Sequence, residues 1–574
     1  MRRILCALPL VAVAALVLTA VAGAFNPDTR VSVGSPPSPF SQNKQNEPAL
    51  AVDANHPNIL VAGSNDNIDM EACNAGDPAT CPFTPGVGSS GVYFSFDSGT
   101  TWIQPTYSGL TARDCLGPAE CTPHVGPIGT LPWYFENGLV SDGDPAVAFG
   151  PAPSLGGFSW ANGSRLYYAN LTSGSALKGF EGIGVSRTNN VQAAAAGNKS
   201  AWMPPVVISK QASATFADKE QVWADNASSS SFFGTVYVCW ENFVGNGAGA
   251  LDVARSTDGG DTWSQKQVTP AHAVPPKMWG QSGCAIRTDS NGVVYLFYEQ
   301  FQSPFKFLPP RGTHMLVKSF DGGRSWSRPM ALYQITDPCF RFSNDGAGDR
   351  CVEDGLAGAR NDLAASPSVS IANGAPTGAG ATNEIVNAWA DGRDGLNHEH
   401  VLFSSSTGGG EPGTWSGPTA IETAGDRGLY AAPAISPNGS TVYIVYNAFT
   451  TPFRDDTFAP RGLVGIVKRA SVSSDGTVGS FANVNRGAVG DPRASSQNNL
   501  VMEFLGDYVY AVATNTYGAA VWNDVRNAAD CPAIDAYRQS FQTGGALPAP
   551  AVQADCLATF GNSDINGGSY PTPA

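Results

Sequence analysis

The chain has 574 residues, with 65 glycines and 42 prolines but only 14% charged residues. This composition favours many short strands joined by turns, and a chain of this length needs several domains or a repeat architecture. The formal net charge is −15, and such an acidic surface argues against nucleic acid or an anionic membrane as a partner.

The first 24 residues have the organisation of a secretory signal peptide. The chain starts with Met-Arg-Arg, continues with an apolar run and reaches the small residues Ala22-Gly-Ala24. We therefore expect residues 1–24 to be removed and residues 25–574 to form one secreted, extracellular domain, a monomer that does not insert into a membrane. An uncleaved anchor is the alternative. Removal of the two arginines would leave 31 basic residues (33 − 2) against 48 acidic ones.

Ten cysteines remain after residue 24, and their even number and close spacing are typical of disulfides in an exported protein. Zinc is disfavoured because no Cys-x-x-Cys occurs. The sequence by itself does not fix the connectivity. The simplest pairing is sequential, namely Cys73–Cys81, Cys115–Cys121, Cys239–Cys284, Cys339–Cys351 and Cys531–Cys556.

A short alternating strand preceded by a polar or small residue occurs seven times along the chain. Neighbouring copies lie between 64 residues (Glu220 to Cys284) and 97 residues (Pro48 to Pro145) apart, which is room for four strands and their loops. A second strand follows each copy, as in Thr441-Val-Tyr-Ile-Val-Tyr446, and then a third. The seven copies align on Pro48, Pro145, Glu220, Cys284, Pro367, Pro433 and Tyr508.

The third strand of three units ends in the pattern Ser-x-Asp-x-Gly-x-Ser/Thr-Trp. Its copies are Ser95-Phe-Asp-Ser-Gly-Thr-Thr-Trp102, Ser256-Thr-Asp-Gly-Gly-Asp-Thr-Trp263 and Ser319-Phe-Asp-Gly-Gly-Arg-Ser-Trp326. An Asp side chain binds nearby backbone N–H groups, Gly takes the positive φ, and the Trp packs over the turn. The pattern predicts a hairpin between the third and fourth strands.

Four antiparallel strands per unit, repeated radially, predict an all-β fold, a β-propeller with most simply seven blades. We expect the last unit to include Asp535-Ala-Tyr-Arg-Gln-Ser-Phe541 as a strand and to lack an outer one. Thr29-Arg-Val-Ser-Val33 could supply that outer strand and so close the ring.

The repeated pattern resembles the Asp-box, or bacterial neuraminidase repeat. Over nearly all of the chain after residue 24, the sequence resembles secreted propellers of the sialidase-like superfamily. The resemblance implies a glycan or glycoprotein partner, and it offers a six-bladed, sialidase-like ring as the alternative. It implies either a glycoside hydrolase of exo-sialidase type or a non-catalytic carbohydrate- or protein-binding propeller, because Asp-boxes occur in both.

Up-and-down alternation places the entries to first strands and the exits from second strands on one face, and the Asp-box turns on the other. On the first face we expect carboxylates and amides with few cations. These side chains are either hydrated loop residues or a carbohydrate or metal site at the channel mouth.

Sialidases bind the substrate carboxylate with three arginines, and the resemblance places Arg393 and Arg526 as two of them. The position of the first arginine instead reads Asn46-Glu47-Pro48, where a carboxylate would repel the substrate. The resemblance offers Asp66 or Asp69 as the acid and Tyr430 or Tyr508 as the nucleophile.

A different glycosidase needs only two carboxylates about 5 to 10 Å apart. The candidates for that pair are Glu47, Asp66, Asp144, Glu220 and Asp507.

Oxygen-rich segments could also hold Ca²⁺, and ordinary Asx turns are the alternative. The places are Asn65-Asp66-Asn67 with Asp69, and Asp345-Gly-Ala-Gly-Asp349.

Overall fold

The structure is a computed structural model that describes residues 25–76, 81–209, 212–244, 248–271, 279–302, 309–343, 350–545 and 547–573. The described residues form seven antiparallel sheets in a ring, each sheet following chain order from the axis outwards. The all-β, seven-bladed propeller is thus confirmed, and the six-bladed alternative is wrong. Residues 1–24, and with them the expected signal peptide, lie outside the described residues.

The strands that line the channel are short and carry alternating side chains. In blade order they are Gln45–Val52, Ala146–Pro151, Thr215–Ala224, Trp279–Thr288, Ser368–Ile371, Arg427–Ile435 and Tyr510–Ala513. The second strands are Leu60–Asp66, Ser164–Ser173, Val236–Val244, Val294–Gln302, Ile385–Asp391, Thr441–Phe449 and Tyr517–Asp524.

The third strands are Ser90–Ser95, Gly182–Thr188, Ala248–Ser256, Arg311–Ser319, His400–Ser406, Leu463–Ser471 and Asp564–Pro571. Blades two to seven end in Trp202–Val207, Ser264–Gln267, Met330–Thr336, Thr419–Ala420, Ala482–Arg486 and Thr29–Arg30. In blade one the fourth strand is reduced to a bridge between Phe94 and Ile103.

Several short elements decorate this frame. Two-residue to five-residue strands are Val140–Ser141, Tyr107–Thr111 with His124–Ile128, Pro153–Ser154 with Gly157–Phe158, and Arg341–Ser343 with Arg350–Val352. The α-helices of the described residues are Val191–Ala195, Pro532–Gln542 and Val552–Asp555. The 3₁₀ turns are Asn67–Asp69, Phe135–Asn137, Trp160–Asn162, Lys199–Ala201 and Pro492–Ala494. None of the described helices combines the length and apolar character needed to cross a bilayer.

The two ends of the chain meet in the last blade. Thr29–Arg30 pairs with Asp564–Pro571, with Thr29 opposite Gly567, so the expected closure by the N-terminal strand is confirmed. The expectation of a strand over residues 535–541 is wrong, because these residues lie within the helix Pro532–Gln542. Pro532 occupies the first helical turn, and the helix buries Ile534 and Arg538, which are four residues apart on one face.

Blades pack against one another through their second strands, which are apolar on both faces. Trp240, Trp389 and Trp522 stand in the second strands of blades three, five and seven and are fully buried. Each such side chain contributes roughly 1.5–3 kcal/mol by leaving water, so the ring is held together between blades.

The sequential cysteine pairing is confirmed. Among the described residues all ten cysteines after residue 24 form the five expected disulfides. Cys239–Cys284 joins the second strand of blade three to the innermost strand of blade four.

The Ser-x-Asp-x-Gly turns share one hydrogen-bond pattern. In blade three the Ser256 hydroxyl donates to Asp258 Oδ1 (2.7 Å) and accepts from Gly260 N–H (2.8 Å). In blade one the Ser98 N–H donates to Asn58 O (3.0 Å), in the connection between the first and second strands. The turns therefore lie on the face opposite to the entries of the innermost strands, as the alternation predicts.

Candidate functional site: the charged mouth of the channel

The innermost strands of several blades contain a bulge where they enter the channel. Strand pairing shifts register between Asn46 and Ala49 in blade one, and equivalent shifts occur in blades three and four. At this point Glu47, Asp144 and Lys219 have φ of 57°, 50° and 61°, and Gly283 has 64°. This conformation costs a non-glycine residue of order 1–3 kcal/mol and often marks a functional position.

Glu47 lies at the centre of the mouth and is fully buried. Its Oε2 accepts a hydrogen bond from Asn65 Nδ2 (2.6 Å), and its Oε1 is buried without a hydrogen-bond partner among the described residues. Burial raises the pKa of Glu47 well above its usual range, and the charges of Asp144 and Asp507 raise it further. Both effects favour the protonated form of Glu47.

Asp507 belongs to the same cluster, but its pKa is shifted in the opposite direction to that of Glu47. Lys219 Nζ donates to its Oδ2 at 2.8 Å and Arg360 Nη2 donates to the same oxygen at 3.0 Å. Burial acts to raise the pKa of Asp507, but Arg360 and Lys219 outweigh it and lower the pKa to about 2. Arg360 Nη2 also lies 3.6 Å from Glu47 Oε1. One guanidinium group therefore contacts both Asp507 and Glu47.

An aromatic ring supports the cations. The guanidinium of Arg360 lies 4.5 Å and the ammonium of Lys44 4.9 Å from the ring centre of Phe504. Burial, followed by the charge of Arg360, lowers the pKa of Lys44 to about 7. The mouth is thus a mixed-charge cluster, whereas the sequence indicated few cations.

Blades two and three add an acidic side to the cluster. Burial raises the pKa of Asp218 to about 6 and that of Glu181 to about 9, and neighbouring carboxylates contribute to both shifts. Glu220 is buried, and neither of its carboxyl oxygens has a hydrogen-bond partner. Burial and then Asp144 raise its pKa well above the usual range.

The two candidate tyrosines have different environments. Tyr508 is half-buried, and its hydroxyl lies 3.5 Å from Pro145 O, next to Asp144. Tyr430 is buried, and its hydroxyl is bonded to Arg360 O (2.6 Å) and Gly506 O (2.5 Å). Of the two, only Tyr508 is accessible from the mouth.

Asp66 and Asp69 are surrounded by protein hydrogen-bond donors. Asp66 accepts from the Tyr93 hydroxyl (2.7 Å) and from Gln104 Nε2 (2.7 Å), among others. Asp69 accepts from Arg113 Nε (2.7 Å) and from backbone N–H groups. Such donors occupy the lone pairs that an acid or a cation ligand would need, so both side chains have a structural role here.

Arg393 and Arg526 are each bonded to the aspartate two residues earlier. Arg393 Nε donates to Asp391 Oδ1 (2.8 Å), and Arg526 Nε donates to Asp524 Oδ1 (2.9 Å). Arg526 Nη1 also donates to Asp28 Oδ2 (2.7 Å). Both guanidinium groups are thus bonded to carboxylates of the chain itself.

A Ca²⁺ ion has no evident ligand set in the part of the chain that the structure describes, where no three His, Cys, Asp or Glu side chains converge on a common point. The other expected place, Asp345-Gly-Ala-Gly-Asp349, lies outside the described residues.

The structure therefore brings together Glu47, Asp144, Glu220, Asp507 and Tyr508. The sequence alignment already indicates this cluster. The position before the aligned residue is charged in four of the five copies aligned on Pro48, Pro145, Glu220, Cys284 and Tyr508. Sequence reasoning missed Lys44 and Glu181, which stand outside the aligned strands and carry no local pattern.

No protein-family model and no curated protein matches this chain. Solved structures match its fold. A Hadza microbial sialidase, Hz136, is 13% identical with a TM-score of 0.36, and the match covers 70% of this chain and 63% of the sialidase. The intramolecular trans-sialidase of Ruminococcus gnavus is 10% identical with a TM-score of 0.38, covering 73% of this chain and 94% of that one. A thermostable family-43 glycoside hydrolase is 12% identical with a TM-score of 0.30, covering 56% and 89%. These values describe a distant likeness of fold.

Proposed function

We propose that the protein is a secreted glycoside hydrolase that acts on glycans at the charged mouth of its channel. The observation that carries the proposal is the buried carboxyl group of Glu47 beside Asp144, whose charge helps to raise the pKa of Glu47. Glu47 is buried in surroundings that favour its protonated form, while Asp144 is half-buried and faces the mouth. Glycoside cleavage needs a carboxylic acid and a carboxylate, and this pair supplies both.

The roles follow from access to the mouth. Asp144 is the member of the pair that a sugar would meet, and Glu47, buried beside it, supplies the proton. Asp218, on the next blade with its side chain 18% exposed, offers a further carboxyl group for the opposite side of the glycosidic bond. Tyr508, beside Asp144, could stack on the sugar or hydrogen-bond to it.

We further propose that the substrate is not a sialic acid. A sialoside carboxylate requires arginines that are available to it, whereas Arg393 and Arg526 are bonded to aspartates and Arg360 to Asp507. The surrounding carboxyl groups favour a neutral sugar.

The test is hydrolysis of a panel of aryl glycosides, including a sialoside, by the protein and by its Asp144→Asn variant. We expect release from at least one neutral glycoside, lost in Asp144→Asn and retained in Glu120→Gln, a matched change at an exposed loop carboxylate. An inert panel would instead favour the non-catalytic, glycan-binding alternative. Release from the sialoside alone would contradict the assignment to neutral sugars.

A further inference from the structure

Below the charged mouth the channel is lined mainly by apolar side chains. Towards the face of the Ser-x-Asp-x-Gly turns it widens into a cavity of about 240 Å³. Its walls are the apolar side chains of the innermost strands, among them Leu50, Val147, Phe149, Ile371 and Ile435. Exposed Pro57 and Asn515 lie at its rim, so the cavity is open to solvent on that face.

Arg287 is the one charged side chain among the described residues that line this cavity. It belongs to the innermost strand of blade four and also borders the mouth cluster, so it stands at the inner end of the cavity. Tyr510 borders both spaces in the same way. A layer of Arg287, Tyr510 and Gln221 separates the two halves, because the Tyr510 hydroxyl contacts both other side chains.

The guanidinium of Arg287 has neutral partners. It lies 4.9 Å from the ring centre of Trp223, and its Nη1 donates to Ile286 O at 2.7 Å. No carboxylate forms an ion pair with Arg287 within the described parts of the chain. Arginine stays charged in proteins, so this half-buried cation has no carboxylate in direct contact among the described side chains.

We propose that the lower half of the channel binds a medium-chain carboxylic acid, with the carboxylate on Arg287 and the alkyl chain along the apolar walls. An apolar cavity with one oriented cation at its closed end matches the chemistry of such a ligand. A bidentate contact from the planar guanidinium fixes the carboxylate. The proposal concerns a different space from the glycan site and does not depend on it.

Isothermal titration calorimetry with decanoate, below its critical micelle concentration, tests the proposal without any variant. We expect decanoate to bind at least about tenfold more tightly than decan-1-ol, and decyltrimethylammonium not to bind. Affinity should rise by about fourfold per methylene from hexanoate to decanoate. Equal affinities for decanoate and decan-1-ol, or no binding of decanoate, would overturn the proposal.

Two variants locate the site. Arg287→Gln should weaken decanoate binding by about tenfold or more while leaving decan-1-ol unchanged, and Arg328→Gln, at an exposed position, should change neither. Ala511→Phe, which fills the cavity from the innermost strand of blade seven, should abolish binding of both ligands. Undiminished decanoate binding by Arg287→Gln or by Ala511→Phe would show that the ligand binds elsewhere.

Discussion

Asp321 and Glu47, on opposite faces of the propeller, have pKa values that are shifted in opposite directions. At Asp321, in the turn of blade four, slight burial acts to raise the pKa, but hydrogen bonds from Ser325 outweigh it and lower the pKa to about 2. At Glu47, in the mouth, burial and neighbouring carboxylates raise the pKa. The turn motif thus contains a carboxyl group that ionises readily, whereas burial in the mouth favours the protonated form of Glu47.

The largest expected effect is the difference in kcat between a substitution in the mouth and a substitution in a turn on the opposite face. Glu47→Gln removes the proton donor and should lower kcat on an accepted glycoside by about 10²–10⁴-fold. Asp258→Asn, at the turn of blade three, should change kcat by less than about twofold, since the turn lies on the far face. The measurement is steady-state kinetics of both variants on one substrate. Equal losses in the two variants would remove the distinction between the faces.

The next effect is on stability. Asp507→Asn leaves Lys219 and Arg360 without their shared ionised partner and should lower the free energy of unfolding by about 3–5 kcal/mol. Asp258→Asn loses hydrogen bonds of a mostly exposed turn and should cost about 1 kcal/mol. Denaturant unfolding of both variants gives the comparison. A loss at Asp507 no greater than that at Asp258 would mean that the mouth cations find other partners.

The effect of pH on stability should have opposite signs at Glu181, beside the mouth, and at Asp321, in a turn on the opposite face. Glu181 has a folded pKa of about 9 against an ordinary 4.5, so between these values the folded state holds a proton that the unfolded state has lost. The contribution of Glu181 to the free energy of unfolding therefore falls as pH rises across this window, by about 1.4 kcal/mol per pH unit. Asp321, with its pKa lowered from 3.8 to about 2, contributes above pH 3.8 and loses its contribution as pH falls towards 2.

Unfolding in denaturant between pH 5 and pH 8 measures this difference. Glu181→Gln should flatten the decline of stability with pH. Asp321→Asn should lower stability by a constant amount between pH 5 and pH 8, leave the decline unchanged, and have a smaller effect below about pH 4. A decline that is as steep in Glu181→Gln as in the wild type would show that Glu181 ionises freely.

The smallest effect concerns an ion pair beside the mouth. Arg526→Gln breaks contacts to the buried Asp524 and the partly exposed Asp28, and should cost about 1–3 kcal/mol. Because this guanidinium is bonded to carboxylates of the chain itself, kcat/KM should change by less than about twofold. A loss of 100-fold or more in kcat/KM, measured with the same glycoside, would instead make Arg526 a substrate ligand.

The sequence predicted the fold well because its periodicities are local. Seven aligned strands and the turn motif define blades, and the terminal strand Thr29–Arg30 completes the last one. The helix Pro532–Gln542 was wrongly predicted as a strand because the last blade lacked a third strand. That third strand is Asp564–Pro571, about 20 residues further along the chain.

The candidate site was only partly predictable. The aligned position before each innermost strand gives Glu47, Asp144, Lys219 and Asp507, since strand order fixes where that position lies. The burial that raises the pKa of Glu47 depends on the loops that cover the mouth, including Phe504 and Lys44, and no local pattern encodes that packing. For the same reason the partners of Arg393 and Arg526 were visible only in three dimensions.

The most direct test is the protonation state of Glu47 itself. Infrared difference spectra at pH 7 between the wild type and Glu47→Gln should show the loss of a carboxylic acid C=O band, and Asp258→Asn should show the loss of carboxylate bands only. If Glu47→Gln instead removes carboxylate bands, the mouth does not protonate its central carboxyl group. The contrast between the two faces would then be contradicted.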